Sequence, residues 1–133
     1  MRTGYLVGLL FFFILTPLQA ATPLVDTDWL LANLNNPKLV VLDLQPQATY
    51  RRFHIPGSVN SDYADWRKPD ARKTPKMIPS VSTLEQLIGG LGIDNETQLV
   101  LVVTGRSASE MASATRVYWT FKALGHDEIS ILD

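Results

Sequence analysis

Hydrophobic and polar positions follow two rhythms along this chain. After Ser80 or Ser82, either of which can cap a helix, Leu84, Leu87, Ile88 and Leu91 recur at i, i+3, i+4 and i+7, and Gly89, Gly90 and Gly92 close the element. A longer helix is predicted over residues 109–124, with Met111, Ala114, Tyr118 and Phe121 in one stripe, Trp119 in the core and Gly125 as terminator. A shorter one follows Asp26 and Thr27, takes its apolar side from Trp29, Leu30, Ala32 and Leu34, and stops at residues 35–37 (NNP). Between the helices stand short, nearly continuous apolar runs: residues 39–44 (LVVLDL), 99–103 (LVLVV) and 129–132 (ISIL). Runs of this length without polar alternation predict strands buried on both faces. Val59 opens one more, very short strand, and residues 45–52, led by Pro46, predict a short helix or turn. Residues 60–79 are polar and punctuated by proline, which predicts a long connection over the surface.

Strands alternating with helices predict an α/β sandwich: a mainly parallel sheet with helices on both faces and right-handed crossovers. Ligands of such sheets gather at the carboxyl ends of the strands. That singles out the loop after Val103, which reads Thr104, Gly105, Arg106, Ser107, Ala108 and Ser109. Consecutive N–H groups at a glycine bend that opens a helix make a cradle for an anion, and Arg106 adds a charge. The same residues also suit a plain turn with a capping hydroxyl, because Thr104 has no histidine or lysine beside it to activate it as a nucleophile. Residues 54–57 (HIPG) form the other local signal. Pro56 and Gly57 are turn formers, and His54 reads as a structural group hydrogen-bonded to nearby backbone or to Asp43.

Composition narrows the chemistry. The chain has 133 residues, 46% of them hydrophobic, which suits one domain with a modest core. Its first twenty residues differ from the rest: Arg2, then the apolar residues 5–15 (YLVGLLFFFIL), then a proline and small residues. This layout predicts a secretory signal over residues 1–20 and a periplasmic or otherwise exported domain over residues 21–133. The apolar run is short for a membrane span, so no permanent span is expected, although an uncleaved anchor is the alternative. Nothing in the formal net charge of −1 suggests a nucleic-acid partner, and the basic cluster from Arg67 to Lys76 reads as a solvated loop. There is no cysteine, which excludes disulfides, thiolate metal sites and thiol nucleophiles. His54 and His126 lie far apart without carboxylates at ligand spacing, so neither a metal nor another cofactor is expected.

Four segments together carry a family resemblance: LVVLDL at residues 39–44, YRRFHIPGSVN at 50–60, MIPSVSTLEQLIGGLG at 77–92 and TRVYWTFKALGHDEISIL at 115–132. In this order they resemble the rhodanese-like sulfurtransferases, and within them the amino-terminal domain of tandem thiosulfate or 3-mercaptopyruvate sulfurtransferases. The resemblance implies a rhodanese-like three-layer α/β sandwich, with Asp43, His54, Pro56 and Gly57 as a fold signature. It implies too that the fold continues past Asp133, so that the domain over residues 21–133 is expected to be incomplete at its carboxyl end. Three departures matter. Gln45 stands where the family has arginine, Phe53 where it has glycine, and Thr104 where active domains have their cysteine. An alcohol cannot carry a persulfide, because sulfur transfer needs a soft thiolate. No catalytic residue is therefore expected in this chain. Trp119 and Arg116 match family positions on the last helix, with Arg116 read as a structural anchor ahead of a contact to the anion cradle. His126, just after that helix, is also read as structural.

Two functions remain open. One is the non-catalytic domain of an exported sulfurtransferase, working with a missing carboxyl-terminal rhodanese domain or partner protein that brings the cysteine. The other is a stand-alone module whose loop from Thr104 to Ser109 binds a small sulfur-containing anion or a partner's acidic group.

Overall fold

In the computed structural model, which describes residues 21–133, the apolar runs become the centre of one sheet. The expected signal at residues 1–20 lies outside the described residues. The strands are β1 (Leu24–Val25), β2 (Leu39–Asp43), β3 (Val59–Asn60), β4 (Gln98–Val102) and β5 (Ile129–Leu132), and the helices are α1 (Thr27–Asn33), α2 (Gln47–Tyr50), α3 (Val81–Gly90) and α4 (Ala108–Ala123). The strand order is β1-β5-β4-β2-β3, with every neighbouring pair parallel. The predicted α/β sandwich is thus the observed one.

Successive side chains on a strand point to opposite faces, and here both faces are covered. Leu42, Leu99, Leu101, Ile129 and Ile131 pack with Trp66, Leu84 and Phe121 on the side of α3 and α4. Val41, Val100 and Val102 pack with Val25 and Leu30 on the side of α1. Each of these side chains contributes about 1.5–3 kcal/mol by leaving water, so a polar residue at either parity would be costly. That is why β2 and β4 show no alternation. Helices α1 and α3 begin at side-chain caps: Asp26 accepts the Trp29 N–H at 2.8 Å and Ser80, rather than Ser82, accepts that of Thr83 at 3.3 Å. Helix α3 runs through Gly89 and Gly90 before the chain reverses at Gly92.

Three readings need correction. Trp119 does not enter the core; it is 60% exposed. The buried residues of α4 are Ala114, Val117, Thr120 and Phe121, with Met111 and Tyr118 partly buried beside them, and helical pitch turns Trp119 to the opposite side. The connection over residues 60–79 is not wholly superficial either. A short 3₁₀ helix, Tyr63–Trp66, drives Trp66 to full burial, where its ring lies 5.2 Å from that of Phe121 and its Nε1–H donates to Ser61 Oγ at 3.0 Å. Arg67 fastens this turn to α4, donating to the Arg116 carbonyl at 2.8 Å and to Thr120 Oγ1 at 3.1 Å. Finally, β1 was not foreseen. Its two residues hold no readable period, and it exists because β5 offers a parallel edge to Leu24 and Val25.

Replacing Trp66 by alanine is expected to cost about 3–5 kcal/mol of stability, whereas Leu31→Ala, at a side chain 71% exposed, is expected to stay within about 0.5 kcal/mol. Urea unfolding of both variants measures the contrast; equal losses would show that Trp66 is not part of a packed core.

Candidate functional site

Strands β2 and β4 end side by side, with Asp43 in register with Val102, so the loops that follow them face each other at the carboxyl edge of the sheet. On the β2 side, Asp43 is fully buried. Its Oδ1 accepts the Gln45 backbone N–H at 2.9 Å and its Oδ2 accepts Gln45 Nε2–H at 2.8 Å. The glutamine that departs from the family pattern therefore satisfies the carboxylate with a neutral amide. The other end of that amide, Gln45 Oε1, is buried without a partner. Asn60 ties the loop from below, donating to the carbonyls of Asp43 at 3.0 Å and Gln45 at 2.9 Å.

The HIPG segment is a turn in which Gly57 takes φ 81°, a left-handed conformation that disfavours other residues, and the Ser58 N–H returns to the Ile55 carbonyl at 2.9 Å. His54 is exposed. Its Nδ1 lies 2.8 Å from the Tyr50 carbonyl, which can only accept, so this nitrogen carries the proton; the ring stacks on Tyr50 at 4.1 Å. Tyr50 in turn donates its hydroxyl to the Ser58 carbonyl. His54 thus braces the turn through backbone and not through Asp43.

On the β4 side the loop bends at Gly105, φ 70°, and closes around a residue that the sequence reading did not single out, Glu110. Glu110 Oε2 accepts both the Thr104 hydroxyl and the Arg106 backbone N–H, the latter at 3.0 Å. The Glu110 N–H donates back to Ser107 Oγ, the cap of α4, at 3.3 Å. The Thr104 hydrogen bond first, and then the Arg106 N–H, hold the Glu110 carboxyl below the usual carboxylate range. A signal for this was present: Ser107-Ala108-Ser109-Glu110 has the Ser-x-x-Glu spacing of a capping box, in which a glutamate reaches back to the backbone before its helix. The carboxylate therefore lies within the bend where an external anion would be held. Between Gln45, Pro46, Thr104 and Glu110 only about 40 Å³ remains. A wider cleft of about 270 Å³ opens beside it toward Phe53, His54 and Arg106.

The remaining candidates do not converge here. Arg116 donates to the Tyr63 hydroxyl at 3.3 Å, away from the loop at Thr104 and toward the 3₁₀ helix. His126 follows α4, with its ring 5.5 Å from Phe121. Among the described residues no group of three or more histidine, aspartate or glutamate side chains is placed to hold a metal ion, and no helix is long and apolar enough to cross a membrane.

A family model for the rhodanese-like domain matches residues 26–133. Among curated relatives, the mitochondrial thiosulfate/3-mercaptopyruvate sulfurtransferase 1 of Arabidopsis thaliana is 33% identical over 126 residues, spanning 86% of this chain and 31% of the relative. The thiosulfate sulfurtransferase of Rattus norvegicus is 30% identical over 124 residues, 83% of this chain and 40% of its own length. The crystal structure of SseA from Escherichia coli, described as a 3-mercaptopyruvate sulfotransferase with the rhodanese fold, superposes with a TM-score of 0.70 at 25% identity, covering 84% of this chain and 45% of SseA. The chain spans less than half the length of each of these proteins. Sequence, fold and the placement of the loops after β2 and β4 agree: this chain belongs to the rhodanese-like domain family.

Proposed function

We propose that the chain is the non-catalytic rhodanese domain of an exported thiosulfate or 3-mercaptopyruvate sulfurtransferase, and that a second rhodanese domain or partner protein supplies the cysteine. One observation carries this reading: where a persulfide-bearing thiolate would stand, Thr104 donates its hydroxyl to Glu110, and the same carboxylate takes the Arg106 N–H. Neither oxygen can hold transferable sulfur. The negative charge in the bend, moreover, opposes an incoming sulfur anion by Coulomb repulsion. Export rests on the charged, apolar and small-residue pattern of residues 1–20. The same geometry weighs against the stand-alone anion-binding module, because the loop already has an internal anion.

The full chain is expected to form no thiocyanate from thiosulfate and cyanide above a protein-free blank; turnover by a pure sample would overturn the proposal. Calorimetric titration with sulfate or thiosulfate at neutral pH should likewise be silent for the parent. Glu110→Ala, which frees the Arg106 N–H and removes the charge, is expected to gain saturable, salt-sensitive binding. A variant as silent as the parent would mean that the loop keeps the family's shape without its anion affinity.

The depressed Glu110 pKa gives a further expectation. A carboxyl whose folded pKa lies below its unfolded value contributes stability that is complete above the unfolded value, about 4.3, and is lost as pH falls through the folded one. Glu110→Gln should therefore flatten part of the acid side of a plot of thermal midpoint against pH. An unchanged acid slope would show that the bonds from Thr104 and Arg106 contribute nothing to folding.

A further inference from the structure

Helix α4 has a second organised face. Ala112, Thr115, Arg116 and Trp119 recur at i, i+3, i+4 and i+7 on the side turned away from the core, and with Arg67 they line a shallow groove of about 460 Å³. The groove is unusual in both of its components. Trp119 presents 60% of its surface to solvent on a regular helix, and a large exposed aromatic is the kind of side chain that anchors interfaces. Neither Arg67 nor Arg116 lies within ion-pair distance of a carboxylate among the described residues, where the ion pairs are Lys38 with Glu96 and Lys122 with Asp127.

The two guanidinium groups are also held in place. Arg67 donates to the carbonyls of Trp66 at 2.6 Å and Arg116 at 2.8 Å, and to Thr120 Oγ1 at 3.1 Å; Arg116 donates to the Tyr63 hydroxyl at 3.3 Å. Burial lowers the Arg67 pKa from its ordinary value, and the neighbouring Arg116 charge adds to that against the opposite pull of Tyr63. A positive charge so placed gains from an anionic partner and loses little freedom in meeting it. The basic loop begins one residue later. Lys68 and Met77 close it by paired backbone bonds at 3.0 and 2.9 Å, and the one acid inside, Asp70, is engaged by the N–H groups of Arg72 and Thr74 at 2.9 and 2.7 Å. Lys68, Arg72, Lys73 and Lys76 outnumber Asp70, so the segment that follows Arg67 is net positive.

We propose that this outer face of α4 docks an acidic segment of a partner protein, seating an apolar side chain against Trp119 and Ala112 and carboxylates against Arg116 and Arg67. The seven-residue step from Ala112 to Trp119 is about 10 Å along a helix, the reach of about three residues of extended chain. A concave groove of this length suits a peptide segment better than the broad surface of a membrane. The site is independent of the loop at Thr104, so sulfur chemistry and docking stand or fall separately.

The test uses the full chain and a fluorescein-labelled peptide of glutamate and leucine, Glu-Glu-Leu-Glu-Glu-Leu-Glu, with a control in which glutamine replaces every glutamate. Fluorescence anisotropy should show saturable binding that weakens with salt and is at least about tenfold weaker for the glutamine control. Arg116→Gln and Trp119→Ala should each weaken binding by about tenfold while leaving the thermal midpoint near that of the parent; should Trp119→Ala unfold, Arg116→Gln decides alone. Absence of binding, equal affinity for the two peptides, or indifference to Arg116→Gln would overturn the proposal. So would Arg116-dependent binding to phosphatidylserine vesicles in place of the peptide, which would assign the face to a membrane.

Discussion

The parallel pairing of β2 with β4 is the constraint on which the rest of the molecule depends. Five residue pairs, from Leu39 with Gln98 to Asp43 with Val102, hold the two strands together, and the Leu44 N–H extends the ladder to the Val102 carbonyl at 2.9 Å. Both strands are covered on both faces. A slip of one residue would exchange leucines and valines between two cores of different shape, so the register is set by packing as much as by hydrogen bonds. Because the strands end together, Gln45 and Thr104 meet across the edge of the sheet.

What meets there is a set of polar groups paired from within, Gln45 Oε1 excepted. Asp43 is buried, and the amide of Gln45 answers it; Glu110 reaches back from the first turn of α4 and collects a hydroxyl and a backbone N–H. An unpaired carboxylate at the buried Asp43 would carry a desolvation cost that the local donors remove. The outcome is a loop with the outline of an anion cradle and an anion of its own already inside.

Helix α4 links the site to the rest of the surface. Its amino end carries the Glu110 bond, its inner face carries Ala114, Val117, Thr120 and Phe121 into the core, and its outer face carries Trp119 beside two guanidinium groups. Thr120 joins these roles. Its hydroxyl donates to the Arg116 carbonyl at 2.8 Å and accepts from Arg67 at 3.1 Å, so a buried helix position fixes the charge at the rim of the groove.

Where periodicity measures burial relative to an element's own axis, the amino-acid sequence decided the outcome by itself. LVLVV had to be a strand covered on both faces, Leu84, Leu87, Ile88 and Leu91 had to lie on one face of a helix, and HIPG had to be a turn, because each follows from forces acting within a few residues. The absence of cysteine likewise settled that none of these 133 residues brings a thiol. Only the tertiary structure decided that Trp66 and not Trp119 completes the core, that β1 joins the edge of β5, and that Glu110 fills the bend after β4. Trp66 and Trp119 are the same residue type in helical surroundings, and which of them is buried depends on the element that packs against each. Glu110 follows its loop closely in sequence, yet its role depends on the direction in which the bend at Gly105 aims the Thr104 hydroxyl and the Arg106 N–H. Local pattern carries the face that an element buries; the partner that it meets is set by contacts between residues far apart in the chain.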